Sequence, residues 1–230
     1  MVKNHLSRLV APRSWPMKRK GIKFIARPRS GPHKLEDSIT LKMIMQNFLK
    51  QTATARETKI VLNNGKVFVD NKIVKDPNYP ISLMDTISIP SLDEYYRVLI
   101  DEHKKFKLNK ITKENANLKL CKIIDKTLLK KNKLQINFSD GRNKIAEDKK
   151  YKVGDTLVLT LDKNEIKNHL KLEKGASIYL IAGKHKGLIA TLESIELSKD
   201  TKEDRIKLKK GSETFETLKN YAFVIDNTLL

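Results

Sequence analysis

The stretch from Leu41 to Ile89 limits the fold more than any other part of the chain. Leu41, Ile44, Met45, Phe48 and Leu49 recur at the spacing of one apolar helical face. A second helix opens at Thr54, where Thr54-Ala-Arg-Glu57 has the form of a capping box, hydroxyl and carboxylate each satisfying a free backbone amide. It runs through Ile60, Val61 and Leu62 to Asn63-Asn64-Gly65, residues that tolerate the left-handed conformation ending a helix. Val67, Phe68 and Val69 lead into Asp70-Asn71, a two-residue hairpin signal, and Ile73 and Val74 return. Beyond the Asp76-Pro77-Asn78-Tyr79-Pro80 loop, Ile81, Leu83, Ile87 and Ile89 alternate as strand residues around Met84-Asp85. Helix, helix, hairpin and closing strand is the expected order.

This order resembles the S-four RNA-binding module, a small unit shared by ribosomal proteins and some RNA-modifying enzymes. The resemblance implies that the second helix and the turn after it lie against structured RNA. The positions it assigns are Arg56, Lys59 and Lys66. The module itself contains no catalytic group, so the flanking sequence decides what it serves.

Charge narrows the choice. The 230 residues allow one to three small domains and carry 47 Lys and Arg against 27 Asp and Glu, a net charge of +20. Such an excess repels itself in a compact state unless an anion is near. Nucleic acid is the obvious anion, because its phosphates exchange condensed counterions for Lys and Arg. A membrane-surface protein would show a large basic amphipathic helix or a lipidation signal, and the sequence has neither. No run approaches the roughly twenty apolar residues of a membrane span, and no apolar segment follows the basic N-terminus. A soluble, cytoplasmic protein without membrane partners is expected. Cys121 is the single cysteine, which excludes an intrachain disulfide and a cysteine zinc site. Among Leu118, Leu120 and Ile123 it reads as a small buried hydrophobe.

Half of the charge excess sits in residues 1–35, which hold ten Lys and Arg and no acid. Pro12, Pro16, Pro28 and Pro32 interrupt any helix, and the apolar residues are too few for a core, so an extended arm is expected. Its chemistry suits RNA. Lys3, Arg8, Arg13, Lys18, Arg19, Lys20, Arg27 and Arg29 offer charge to phosphates, while His5, Trp15, Phe24 and His33 offer flat faces to unstacked bases. The same composition also fits a disordered solubilising tail.

The order of residues says more. His5-Leu-Ser-Arg-Leu-Val-Ala-Pro-Arg-Ser-Trp-Pro16, Arg19-Lys20 and Arg27-Pro-Arg-Ser-Gly-Pro-His33 together resemble the opening of the S-four-e family of small-subunit ribosomal proteins, the archaeal and eukaryotic type. That family places this arm directly before an S-four module, as here. The resemblance implies an arm that orders only between RNA helices, so that deleting residues 1–35 would leave the rest folded.

Beyond the module, residues 93–113 read as a strand or short helix entering a second unit, and 118–129 as either a helix or strands. Leu134, Ile136 and Phe138 alternate into Ser139-Asp-Gly-Arg-Asn143, and Val153-Gly-Asp155 precedes Leu157, Leu159 and Leu161, which predicts a small antiparallel β unit. The family has both steps in its central domain, which makes Arg142 a candidate RNA contact. Strand 175–181, the loop Ala182-Gly-Lys-His-Lys-Gly187 and a further strand resemble the KOW motif of SH3-like barrels, and imply RNA contacts at Lys184, His185 and Lys186. The loop departs from the family's Gly-Gly-Arg-Asn pattern, and Lys cannot make the planar two-pronged phosphate contact of Arg. Residues 198–211 are charged and read as a hairpin or linker; 215–225 match the family's closing strand.

The expected fold is therefore α+β and multi-domain: arm 1–38, module 39–103, central β domain 104–170 and KOW-type SH3-like domain 171–230. The sequence contains no phosphate-cradling or dinucleotide glycine loop, no histidine at metal-ligand spacing and no nucleophile elbow. No catalytic residue, metal, cofactor or small-molecule substrate is expected. The expected function is structural, in the small ribosomal subunit, with ribosomal RNA and neighbouring ribosomal proteins as partners. The alternatives are a free RNA-binding translation factor and an RNA-modifying enzyme carrying the same module.

Overall fold

The structure, a computed structural model, describes residues 4–130, 133–146, 150–198 and 203–229. Antiparallel β-structure predominates, with few helices. The chain divides into two compact units, Met1–Ile100 with Lys104–Lys119, and Asp101–His103 with Leu120–Leu230. No helix among the described residues is long and apolar enough to cross a membrane.

In the first unit, β1 (His5–Ser7) pairs with β2 (Phe24–Ala26) as a short arm ladder, His5 opposite Ala26. Strand β3 (Ser38–Thr40) leads into α1 (Leu41–Met43), capped by the Thr40 hydroxyl and continued by a π turn over Ile44–Phe48. Helix α2 (Ala55–Asn63) begins with the expected capping box. Thr54 Oγ1 accepts from Glu57 N at 3.2 Å, and the Glu57 carboxylate accepts from Ala53 N at 2.9 Å. β4 (Phe68–Val69) and β5 (Lys72–Ile73) are joined through Asp70 and Asn71 at φ 50° and 58°, the left-handed pair that a tight hairpin needs. β6 (Pro80–Ser82) pairs with β3. β7 (Thr86–Ile89), β8 (Glu94–Ile100) and β9 (Phe106–Lys110) complete an antiparallel sheet of order β5-β4-β7-β8-β9. The strands within residues 93–113 therefore finish this unit's sheet, where Val98, Leu99, Ile100 and Phe106 are buried. The short α3 (Lys113–Ala116) follows.

The arm is not an extended appendage. Trp15 is 2% exposed and its Nε1 donates to Ser38 O at 2.8 Å, while Phe106 N donates to Ser14 O at 2.9 Å. A buried tryptophan removes enough apolar surface to contribute on the order of 4 kcal/mol, which one side chain can supply to a segment that has no core of its own. The expectation that residues 1–35 can be deleted without unfolding the rest is corrected on this ground.

A buried ionic cluster fastens the same unit. Lys119 Nζ lies 2.5 Å from Asp70 Oδ2 and 2.6 Å from Asp85 Oδ1, and His33 Nε2 lies 3.0 Å from Asp85 Oδ2. Burial alone would raise the Asp85 carboxyl, but the Lys119 ammonium and the His33 hydrogen bond hold it well below its ordinary value.

In the second unit, β10 (Leu118–Leu128) is one strand of 11 residues that starts in the first unit's span and continues here. β11 (Leu134–Phe138), β12 (Asn143–Ala146), β13 (Thr156–Thr160) and β14 (Ile166–Leu170) join it in the order β12-β11-β10-β13-β14 around Cys121, Ile123, Ile136, Phe138, Leu157 and Leu159. β15 (Ser177–Leu180), β16 (Ile189–Glu196), β17 (Arg205–Lys210), β18 (Glu213–Leu218) and β19 (Ala222–Val224) form a further antiparallel sheet, β18-β17-β16-β15-β19. The charged stretch read as a hairpin or linker contains β17, an interior strand. Ile206 and Leu208 alternate inward between its cations, and both are fully buried.

Trp15 is the chain's single tryptophan, so its emission reports on arm docking directly. The free protein should show blue-shifted emission, shielded from iodide, that shifts red in one transition with the unfolding of the first unit. Emission at the solvent-exposed wavelength before unfolding would mean that the arm is undocked.

Replacing Lys119 by Met should cost about 3–5 kcal/mol in denaturant titration, because it removes the ammonium that two buried carboxylates share. The Asp85 contribution is complete above its ordinary pKa of 3.8 and is lost as pH falls below it. Acid titration of the wild type should therefore show the first unit losing stability only below about pH 4.

Candidate nucleic-acid interface

Helix α2 turns Thr58 and Leu62 inward, which leaves the face carrying Arg56 and Lys59 exposed. Those two cations are one turn apart, and Lys66 is exposed just past the helix end, so the three form a ridge running onto the turn.

The arm sorts its cations by type. Arg8 Nη1 donates to Lys18 O at 3.1 Å, and Arg19 Nη1 donates to Leu9 O and Ala11 O at 3.0 and 2.8 Å. Arg29 pairs with Asp76 at 3.1 Å. Arg8 and Arg19 thereby hold the arm's turns together through backbone carbonyls, while Arg29, half exposed, ties the arm to the Asp76 loop. Arg13, Lys18 and Lys20 are exposed, and Arg27 is half-buried. Lys3 lies outside the described residues. Of the flat rings, only His5 and Phe24 face solvent; they meet edge to face at 4.9 Å. Trp15 and His33 are corrected, the first to a core residue and the second to a member of the Lys119 cluster with 8% of its side chain exposed.

In the second unit, Arg142 is tied back across its turn to Asp140 at 3.3 Å. The loop between β15 and β16 has its two glycines at φ 84° and 91°. A Cβ on Gly183 would sit 3.1 Å from the Tyr221 ring, a tight contact that adds to the preference for glycine set by its φ of 84°. Lys184 is exposed and Lys186 half-buried, while His185 stacks on Phe215 at 4.4 Å. Support comes from below. Ile181 N donates to Tyr221 O, and Lys122 Nζ donates to Asn220 O at 2.7 Å, which fixes the turn that Gly183 packs against. Burial, with Lys219 nearby, pushes the Lys122 ammonium down to about 8.

The surface thus offers ammonium and guanidinium groups and a few rings, an arrangement that attracts a polyanion. Among the described residues, no group of three or more His, Cys, Asp or Glu could hold a metal ion. The sequence reading passed over Lys42, whose only signal was its polar position inside an apolar helical stripe.

Three family models match this chain: the RS4NT (NUC023) domain over residues 2–36, the S4 domain over 54–87 and Ribosomal family S4e over 92–166. The small ribosomal subunit protein eS4 of Methanocaldococcus jannaschii is 40% identical, over 97% of this chain and 94% of that one. Its namesake from Methanothermobacter thermautotrophicus is 37% identical, over 97% and 92%. The crystal structure of the 30S ribosomal protein S4e from Thermoplasma acidophilum superposes with a TM-score of 0.71 at 33% identity, covering 82% of this chain and 95% of that one.

The Lys122 anchor has a pH signature. Its folded pKa of about 8 lies below the ordinary 10.5, so between these values the unfolded chain binds more protons and stability rises with pH. Urea midpoints of the wild type should therefore gain between pH 8 and 10 relative to Lys122→Met, by at most about 1.4 kcal/mol per pH unit.

Proposed function

The chain belongs to the ribosomal S4e family, and on that premise we propose that it is a structural constituent of the small ribosomal subunit, where it binds and stabilises ribosomal RNA. The observation that carries this reading is the near full-length match to small-subunit proteins, with arm, module and central segments in the family's order. The physical surface supports it. A net charge of +20, the exposed Arg56-Lys59-Lys66 ridge, the arm's outward Arg13, Lys18 and Lys20, and the Lys184-His185-Lys186 loop supply cations where a folded polyanion can lie. Arg8 and Arg19 act from behind this surface by shaping the arm.

The finer reading divides the chain into arm 1–38, S-four module 39–103, central β domain 104–170 and an SH3-like KOW domain 171–230. The last assignment is supported by the glycine-bounded loop between β15 and β16 and by β19 closing beside β15. The protein is then not an enzyme, needs no cofactor, and works in the cytoplasm among neighbouring ribosomal proteins.

Sedimentation of a cell extract through high salt tests this. The protein should stay stoichiometric with the small subunit; washing off would favour a free translation factor. With purified small-subunit RNA, neutralising six to ten phosphates should give a slope of log affinity against log salt of roughly −5 to −9. Replacing Arg56, Lys59 and Lys66 by Gln should flatten that slope by about 2 to 3 while the fold persists, since all three are exposed.

A further inference from the structure

A recess of about 420 Å³ opens where the arm ladder meets the S-four module within the first unit. Its size falls within the roughly 300–1,000 Å³ of small-molecule sites. Phe24 and His5 form one wall from the arm, Pro77 and Asn78 another from the module, and Lys42 and Lys59 reach it from the two helices. The lining contains no acidic residue. Phe24 is 49% exposed although it is a large apolar ring, and Lys23 Nζ lies 5.4 Å from its centroid. His5 meets Phe24 at an interplanar angle of 71°, so the two rings make an aromatic corner and not a closed stack. Exposed aromatic surface with ammonium groups beside it and no carboxylate in the lining is what a planar base with an attached phosphate requires: a π-face to lie on and cations one sugar away.

We propose that this recess holds a single unpaired nucleotide of the bound RNA, its base against the Phe24–His5 corner and its phosphate between Lys42 and Lys59. The proposal rests on the RNA-binding function above and adds a specific subsite to it. An RNA strand is favoured over a free nucleotide because cations continue beyond the recess on both sides, along the arm through Lys23 and along α2 through Arg56, and a strand has phosphates for them. The recess exists only because the arm is docked. Lys59 was expected to meet RNA as part of a surface ridge, and here it acquires a partner from the other wall.

The test uses the full-length protein and a single-stranded hexaadenylate RNA carrying 2-aminopurine at its third position. Stacking should quench the probe's fluorescence on binding, and anisotropy should give its affinity. Phe24→Leu should lose the quenching at saturation and bind about 5- to 150-fold more weakly, the span of one base–aromatic stack. Phe24→Trp should keep both. Lys42→Gln with Lys59→Gln should weaken binding and reduce its salt dependence, while quenching at saturation persists. The same strand in a perfect duplex, its probe already stacked between bases, should show no further change when the protein is added. Equal quenching by Phe24→Leu and wild type overturns the proposal, as does loss of binding in Phe24→Trp with an unchanged unfolding midpoint. Adenosine 5′-monophosphate competing at concentrations equal to the hexamer would make this a free-nucleotide site and overturns the commitment to RNA. Retention on salt-washed small subunits separates the two levels. Retained wild type with Phe24-independent quenching sinks the subsite alone; wild type that washes off sinks the ribosomal reading beneath it.

Discussion

The Lys119 ammonium, buried between Asp70 and Asp85, is the interaction on which the first unit depends. A charge taken out of water costs several kcal/mol unless its partners are placed to compensate it, and removing one partner strands the others. Here the partners come from separate parts of the fold. Asp70 opens the tight hairpin and also accepts from Thr86 N; Asp85 accepts from Ser82 N and stands beside His33 at the end of the arm. Arm, hairpin, β6–β7 turn and the first residues of β10 are thus coupled through one cation. The arm, which carries part of the basic surface, is held at His33 by this cluster, so its placement depends on the cluster being intact.

A second constraint is the excess of positive charge. The arm handles it by turning some of its guanidiniums inward and leaving the rest of its cations, Arg13 among them, in solvent. Arg8, Arg19 and Arg29 spend their forks on backbone carbonyls and a carboxylate, where planar multiple donation is an advantage. Lys18 and Lys20 remain outside as hydrated point charges. Recognition by such a surface is electrostatic and tolerant of sequence, and specificity has to come from shape. The aromatic corner at Phe24 and the glycine-bounded loop beside Tyr221 are the places where this protein has shape to offer.

Reading the sequence recovered what is decided by neighbours in the chain. The capping box at Thr54 and Glu57, the Asp70-Asn71 turn, the glycine loop at Gly183 and Gly187, and the buried Cys121 all follow from side chains acting on backbone a few residues away. The errors share one cause. Trp15 and His33 looked like exposed rings because nothing nearby in sequence covers them; their partners, Ser38 for Trp15 and Asp85 for His33, are distant along the chain. The span 118–128 offered apolar and basic residues that fit either a helix or a strand, and only its hydrogen-bonded neighbours on both sides make it a strand. Residues 205–210 look solvated by composition, yet β16 and β18 flank them and turn Ile206 and Leu208 into core.

By itself, then, the sequence determined the module's elements, the basic character of the partner surface and the family order of arm, module and central segment. These properties reside in local hydrogen-bonding capacity, periodicity and net charge, which do not depend on what lies across the fold. Tertiary structure alone decided which cations face outward, that the arm is part of a core, and that Phe24 and Lys59 line one recess. Those outcomes depend on burial and on partners distant along the chain, because an arginine or a ring has no fixed role until the protein around it sets whether water, a carbonyl or a carboxylate is within reach.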